Sequence, residues 1–347
     1  MHVFSKKLES SIKLIMIMFK IFWILQKILV RSPIRIFPSQ FKYSARISQS
    51  DSINVEQISQ EPLRINHYKI AQSSDFRRIL KITRPSLNPK TGLLWLDKKI
   101  VVESTLWNYE DIIKLEPCPI FPRKIDGEFL SLPDNSFFHF LIEDLPRYLQ
   151  ARSLKKESIT IAGSQSEYIV EILNTFTGGN YLFAECATKP EFVYISEKIT
   201  GQLFSSFDLD ILKQNFSQYL IKSERQNIFI SRKDISGTKH VTRGINLRNT
   251  IEEVFVNKGF KIVYFEEMSL FEQIVLCQNA NVIAGYHGAG LANIIWAERG
   301  TRIIEITRSR VTRHFEHISK ICSLNYSLYN IQYPLLELSK LIDEKIA

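Results

Sequence analysis

Apolar runs bounded by polar residues and glycines recur through the second half of the chain. Residues 227–231 read Asn-Ile-Phe-Ile-Ser, 261–264 Lys-Ile-Val-Tyr, 281–284 Asn-Val-Ile-Ala and 301–306 Thr-Arg-Ile-Ile-Glu-Ile. Short, continuous and apolar, they read as buried strands. Helical spacing fills the gaps between them. Leu247, Ile251, Val254 and Phe255 form one apolar stripe, and Gly259 supplies its C-terminal cap. Ser269-Leu-Phe-Glu272 is a capping box that opens a helix with Leu270, Phe271, Ile274 and Val275 inward. Leu291, Ile294 and Ile295 predict a further helix starting near Gly290. Repeated strand–helix order predicts a parallel sheet covered by helices on both faces.

The first half alternates less regularly. From residue 63 to 122, short runs such as Gly92-Leu-Leu-Trp-Leu-Asp97 and Lys99-Ile-Val-Val-Glu103 predict strands, with Trp95 and Trp107 as core or rim aromatics. Residues 158–195 predict alternating strands and helices, turning at Gly178-Gly179. Between these stretches, Phe138, Leu141, Ile142 and Leu145 mark the buried face of a helix capped by Asp134, Asn135 or Ser136. Pro146 cannot donate to Ile142, which predicts a kink or an end there. Residues 335–346 predict a terminal helix docked on one of the domains.

Residues 12–30 are mostly apolar, with Lys6, Lys13, Lys20 and Lys27 seven apart on one narrow stripe. Lys20 is costly at a bilayer centre, so an amphipathic helix in the membrane interface is favoured. A signal-anchor that tolerates one lysine and a helix packed on the protein itself remain alternatives. Pro33, Pro38 and the serines of residues 31–60 read as a linker. The expected organisation is a helix at 1–31, an α/β domain at 32–220 and a Rossmann-like domain at 221–347.

Composition narrows the function. The 347 residues are 45% hydrophobic and 23% charged, which suits two globular domains. The net charge of +9 comes from scattered lysines and arginines with no basic run interleaved with aromatics. That favours an anionic ligand or surface, and no nucleic-acid partner is expected. Four cysteines far apart, with no CxxC pair, suggest neither zinc nor redox chemistry, and a disulfide framework is not expected.

Candidate chemistry centres on residues 281–296, a strand, a glycine turn and a helix start. Gly285, Gly288 and Gly290 lack the Cβ atoms that would hold a ligand off the backbone. A helix N-terminus at a strand's carboxyl end offers N–H groups and partial positive charge to a phosphate or diphosphate. Gly288, Ala289, Gly290 and Leu291 are therefore candidates for holding a diphosphate. A tight connection without a ligand is the bland alternative. The dinucleotide fingerprint fits poorly, because Asn293 stands where the third glycine belongs and the turn lies late in the chain. This disfavours a dehydrogenase, and the absence of a Gly-x-Ser-x-Gly elbow in this block disfavours a serine hydrolase.

Arg232 ends the 227–231 run, where a strand's carboxyl end gathers ligands, and Arg243 follows in a polar loop. Glu305 near the end of another strand could accept from ribose hydroxyls. His287 either donates to the diphosphate or fixes the turn, and Asn293 either pins the turn or contacts the donor. His139, Glu143 and Arg147 fall four apart on the helix that precedes Pro146. Glu143 is the candidate general base, with His139 its orienting partner or substitute. The bland alternative is an exposed Glu143–Arg147 ion pair. Asp208-Leu-Asp210 could hold a divalent cation, but it precedes an apolar helical pattern, so helix capping is the better reading and no metal site is expected.

Three blocks together resemble the glycosyltransferase 61 family, which includes bacterial capsular-polysaccharide transferases, plant xylosyltransferases and O-linked N-acetylglucosaminyltransferases. They are Phe138-His-Phe-Leu-Ile-Glu-Asp-Leu-Pro-Arg147, Ile230-Ser-Arg232 with Arg243 and Asn246, and Gly285-Tyr-His-Gly-Ala-Gly-Leu-Ala-Asn293 with Gly300 and Glu305. The resemblance implies a fold of the glycosyltransferase B type, with two Rossmann-like domains facing a cleft. It implies an inverting transferase that takes a sugar from a nucleoside-diphosphate donor, expected to be UDP-linked, to a glycan or polysaccharide hydroxyl. The second domain would bind the donor and the first the acceptor, with no tightly bound metal. Membrane contact through residues 1–31 would place it on the cytoplasmic face in a bacterium, which the compact form favours, or in the Golgi or ER lumen of a eukaryote. The alternatives are a non-catalytic nucleotide- or glycan-binding partner in polysaccharide assembly and another envelope-polymer transferase, such as a pyruvyltransferase.

Overall fold

The structure is a computed structural model. It describes residues 79–347 apart from 89–91, 93, 97–98, 101–120, 134–135, 164, 184, 197–203, 233–247 and 309–312. Before residue 79 it describes only three short strands, β1 (Ile34–Arg35), β2 (Ala45–Arg46) and β3 (Val55–Gln57). The expected helix at 12–30 lies outside the described residues. Among the described residues no helix is long and apolar enough to cross a membrane.

The fold is mixed α/β with two large sheets. Nine strands make the first: β3, β4 (Ile79–Thr83), β5 (Ser86–Leu87), β6 (Leu94–Leu96), β7 (Lys99–Ile100), β8 (Arg123–Leu132), β9 (Ile159–Ala162), β10 (Tyr181–Phe183) and β11 (Thr188–Ser196). Strands β10, β9, β8 and β11 run parallel in that order. β4 and β5 then pair antiparallel with β11, so this sheet is mixed. β5, β6 and β7 pair antiparallel with their neighbours in the chain. Trp95 is buried in this region as a core residue.

The second sheet follows the predicted pattern closely. Its strands are β12 (Gln226–Ser231), β13 (Lys261–Tyr264), β14 (Ala280–Tyr286), β15 (Arg302–Thr307) and β16 (Asn325–Asn330). All are parallel, in the order β13-β12-β14-β15-β16. Alternate residues serve opposite faces. Ile228, Ile283 and Ile303 enter one core, while Phe229, Val282, Ala284 and Ile304 enter another. Burial on both faces explains why these strands read as unbroken apolar runs. β16 was not anticipated. Its sequence, Asn-Tyr-Ser-Leu-Tyr-Asn, is that of an edge strand with one open side.

Helix α1 follows β8 and departs from the expected geometry. It begins as an α-turn at Phe137–His139, widens to a π-turn at Phe140–Asp144 and continues as α-helix over Leu145–Leu154. Pro146 therefore does not end the helix. The wider turn lets Leu145 N–H reach the Phe140 carbonyl five residues back, and Pro146 sits in the first turn of the renewed α-helix, where no N–H is needed. Leu141, Ile142 and Leu145 are fully buried, as their spacing predicts.

The remaining helices are α2 (Glu167–Thr177), α3 (Ser206–Asn215), α4 (Arg248–Asn257), α5 (Leu270–Gln278), α6 (His314–Ile321) and α7 (Leu335–Ile346). α4 and α7 cover one face of the second sheet and α5 and α6 the other, as their core residues show. The core that holds α5 and α6 also contains residues of α1, α2 and α3, so one apolar layer joins the two sheets. At its centre the buried Phe216 ring lies 5.0 Å from Trp296 and 5.2 Å from Phe176. Tyr219 stacks on Phe271 beside it. This aromatic seam sets the orientation in which the two sheets present side chains to each other.

Candidate functional site

In the second sheet the chain starts in β12, steps to β13 on one side and then returns to β14 on the other. The connections therefore diverge at the carboxyl ends of β12 and β14, the switch point at which parallel sheets gather ligands. Ser231 closes β12, and its hydroxyl donates to Glu252 of α4 at 2.5 Å. Arg232 comes next. Its Nη2 donates to the His287 carbonyl at 2.7 Å, which fixes the guanidinium fork against the turn after β14. A Cβ at Gly288 would overlap this guanidinium. At Gly285 or Gly290 it would stand 3.1 Å from Ile230. The glycines thus serve close packing of the turn on β12 and Arg232, a role the sequence reading assigned to ligand approach.

The helix after the turn is 3-10 rather than α, running Ala289–Trp296. Its first hydrogen bond takes Leu291 N–H to the Gly288 carbonyl at 3.0 Å. Leu291 is fully buried, so neither its side chain nor its N–H faces a donor. In a helix with this first bond the N–H groups of Ala289 and Gly290 have no acceptor within the helix. Both residues are half-buried and stay within reach of a ligand. Asn293 is fully buried; its amide donates to Gln273 at 2.8 Å and to the Gly290 carbonyl at 3.3 Å. Of its two expected roles the structure gives it the pinning of the turn, since no ligand reaches a side chain so enclosed.

Glu305 is also placed differently from expectation. It is 2% exposed, and both its oxygens are engaged. Oε1 meets His287 Nδ1 at 2.5 Å, and Oε2 accepts from the Tyr326 hydroxyl at 2.5 Å. A carboxylate so enclosed is not placed to bind ribose hydroxyls. Its neighbours instead show its effect. Tyr326 has its phenol pushed well above the usual range by burial and then by its bond to Glu305.

A second imidazole–carboxylate pair stands on α1. His139 Nδ1 lies 2.7 Å from Glu143 Oε1. Both side chains are partly accessible. Arg147 does not pair with Glu143. It donates to the Ser196 carbonyl through Nε at 3.2 Å and Nη2 at 2.8 Å, and it sits 3.8 Å from Asp144. The π-turn explains the exchange. An extra residue in one turn rotates Arg147 away from the 139–143 stripe and toward β11.

The two pairs converge through aromatic contacts. Phe138 lies edge-on to His139 at 5.1 Å and to Phe315 at 5.7 Å, and its ring is 5.7 Å from His314. Phe315 in turn lies edge-on to His287 at 5.4 Å. His314 titrates below its usual range, first because it is partly buried and then because His139 and His287 are near. Three imidazoles and two carboxylates therefore meet at the carboxyl edge of the second sheet, with α1 as the opposing wall. Such a cluster can accept a proton from one group and steady charge on another.

A cavity of about 460 Å³ opens between α2 and the segment after β13. Glu167, Glu171, Glu266 and Glu267 line it. Glu171 also accepts from the Leu270 N–H across the seam at 2.7 Å, and burial raises its pKa. Asp208 closes a capping box with Ser205 at the start of α3 and is fully buried, which confirms capping as the use of the Asp208-Leu-Asp210 triplet. Among the described residues no group of three or more His, Cys, Asp or Glu is arranged to hold a metal. Arg243 and Asn246 lie outside the described residues.

Sequence reasoning missed His314, Phe315 and Tyr326. Their signal was faint. His314-Phe-Glu-His317 opens a helix soon after the 301–306 strand, where loops of a parallel sheet gather ligands. Tyr326 falls in a strand whose polar composition hid it.

Residues 137–304 match the family model described as Glycosyltransferase 61. Beta-1,2-xylosyltransferase RCN11 of Oryza sativa subsp. japonica is 36% identical over 81 residues, covering 23% of this chain and 15% of the relative. Beta-1,2-xylosyltransferase of Arabidopsis thaliana is 37% identical over 78 residues, covering 22% of this chain and 15% of the relative. Both alignments thus span a small part of the relatives' length. The family match contains Arg232, the turn after β14 and both paired histidines, so over this region the chain is similar to the glycosyltransferase 61 family.

Proposed function

We propose that the protein is an inverting glycosyltransferase that moves a sugar from a nucleoside diphosphate to a hydroxyl of a glycan or polysaccharide. One observation carries the reading. Arg232 and the turn at residues 287–290 share the switch point between β12 and β14, and the His139–Glu143 pair reaches the same place from α1. Charge-stabilising donors and a candidate base then stand on opposite walls, as displacement at an anomeric carbon requires.

The donor's diphosphate sits against Arg232 and the Ala289 and Gly290 N–H groups. These stabilise the negative charge that grows as the sugar departs through an oxocarbenium-like state. Glu143 takes the acceptor's hydroxyl proton, and His139 holds that carboxylate in place. The acceptor oxygen bonds to the anomeric carbon from the face opposite the departing phosphate. The acid-lined cavity repels a diphosphate but accepts hydrogen bonds from hydroxyl-rich sugars, so it suits the acceptor. In this reading the two sheets are the halves of a glycosyltransferase B fold, the donor is UDP-linked, and residues 1–31 bring the enzyme to a membrane surface. The two relatives named as xylosyltransferases make UDP-xylose the first donor to test.

The test is release of UDP from a panel of UDP-sugars by the full chain, with oligosaccharide acceptors. Acceptor-dependent release that Arg232→Ala abolishes is expected. Binding of UDP without any release or transfer would instead favour a binding partner of a polysaccharide assembly, and absence of both would overturn the reading.

A further inference from the structure

We infer that Glu305 and Tyr326 are positioning residues that hold His287 as the proton donor to the departing diphosphate. The inference deepens the proposed transfer and rests on it for the identity of the proton acceptor.

The argument starts from satisfying a buried carboxylate. Glu305 lies on β15 with 2% exposure, and each of its oxygens meets one partner at 2.5 Å. An ionised carboxylate only accepts. Tyr326 must therefore donate its O–H, and His287 must carry its proton on Nδ1. The tautomer follows, and Nε2 is turned away from Glu305. The His287 backbone is held as firmly, because its carbonyl accepts from Arg232 and its N–H donates to the Ile306 carbonyl at 2.8 Å. Phe315 packs edge-on against the ring. The imidazole thus has a fixed orientation beside the turn that holds the diphosphate.

The charged surroundings are Arg232 from the end of β12, Glu305 from β15, Tyr326 from β16, His314 from α6, and His139 with Glu143 from α1. Glu305 is the carboxyl group in direct contact with the ring, and the Tyr326 hydroxyl holds its second oxygen.

In the transfer step the acceptor oxygen forms its bond to the anomeric carbon while the bond to the β-phosphate oxygen breaks. The electron pair of the broken bond stays on the phosphate oxygen. His287, with a proton on each ring nitrogen, gives the Nε2 proton to that oxygen and keeps its Nδ1–H bonded to Glu305, and the acceptor hydroxyl proton goes to Glu143. One proton enters at Glu143 and one leaves at His287, and solvent restores both.

The test separates positioning from mere scaffolding by opposite shifts. The full chain labelled with 15N-histidine reports the tautomer and titration of His287 by NMR, assigned by comparison with His287→Gln. The expected result is Nδ1–H in the neutral form. Tyr326→Phe concentrates charge on Glu305 and moves the His287 titration to higher pH, whereas Glu305→Gln moves it to lower pH. The acid-side shape of the kcat profile should move with each variant, and Glu305→Gln should lower kcat by about 10²-fold. A proton on Nε2 with Nδ1 bare, or shifts in the same direction for both variants, overturns the inference. If Glu305→Gln fails to fold, Tyr326→Phe still decides, because an unmoved titration is equally fatal. UDP binding is measured separately by calorimetry. The expected tautomer and shifts without UDP binding would sink the transferase reading and leave the Glu305–His287–Tyr326 arrangement standing.

Discussion

The two imidazole–carboxylate pairs look alike in chemistry and differ in construction. His139 and Glu143 are four residues apart on one helix, and both are partly open to solvent. His287 and Glu305 are eighteen residues apart on neighbouring strand ends, and the carboxylate is nearly sealed, with a tyrosine on its second oxygen. The open pair can exchange a proton with a bound hydroxyl. The sealed pair keeps its carboxylate and can only tune the imidazole attached to it. This contrast is the ground on which the proposed transfer puts the base on α1 and the charge-handling side on the second sheet.

The largest expected effect tests the charge-handling side. Arg232→Ala removes the guanidinium at the turn and should lower turnover by about 10³-fold while weakening UDP binding. Near-normal turnover with the fold intact would remove the second sheet from the chemistry. Next, Glu143→Gln keeps the shape of the open pair but removes its basicity. Turnover should fall by about 10²-fold with UDP affinity unchanged, as single-turnover kinetics and calorimetry can show. Retained transfer would place the base elsewhere and erase the contrast between the pairs.

Gly288→Ala sharpens the comparison at intermediate scale. The new methyl must push the Arg232 side chain aside, because the two cannot share that space. Turnover should drop about ten-fold or more through misplacement of the guanidinium, and the melting temperature should fall as well because the backbone at Gly288, with φ of 159°, disfavours a side chain. A drop in stability alone would mean that the glycine serves only packing.

The smallest expected effect concerns His314, which lies between the pairs. Its pKa in the folded protein is lowered, chiefly by burial, from the ordinary 6.5. The unfolded chain therefore binds this proton at a higher pH than the folded one. As pH falls below about 6.5, protonation favours the unfolded state, so this residue costs stability on the acid side and none above that pH. His314→Gln should flatten the acid-side decline of the melting temperature. An unchanged slope would show that neither burial nor the neighbouring imidazoles disfavour its charge.

Much of the second sheet was legible because its elements are local. Ser269-Leu-Phe-Glu272 folds as the capping box that the sequence spells, and β13 occupies the predicted residues 261–264. The His139–Glu143 pair was legible for the same reason, since one helix brings both residues to one face. The helix end offered for Pro146 did not occur, because that effect assumes an ordinary α-turn and the π-turn before it removes the conflict. Glu305 was misread because its position on the strand was visible but its two partners were not. One of them, Tyr326, belongs to a strand that only pairing with β15 reveals.

The sequence by itself determined the strand–turn–helix repeats, the glycine turn, the arginine at a strand end and the helical pair, because each depends on residues within a few turns of one another. Only the tertiary structure decided that Glu305 belongs to His287, that Gly288 makes room for Arg232 and that α1 faces the turn. These facts depend on strand order and on the aromatic seam between the sheets. Both are set by packing among residues distant along the chain, and no local pattern records them.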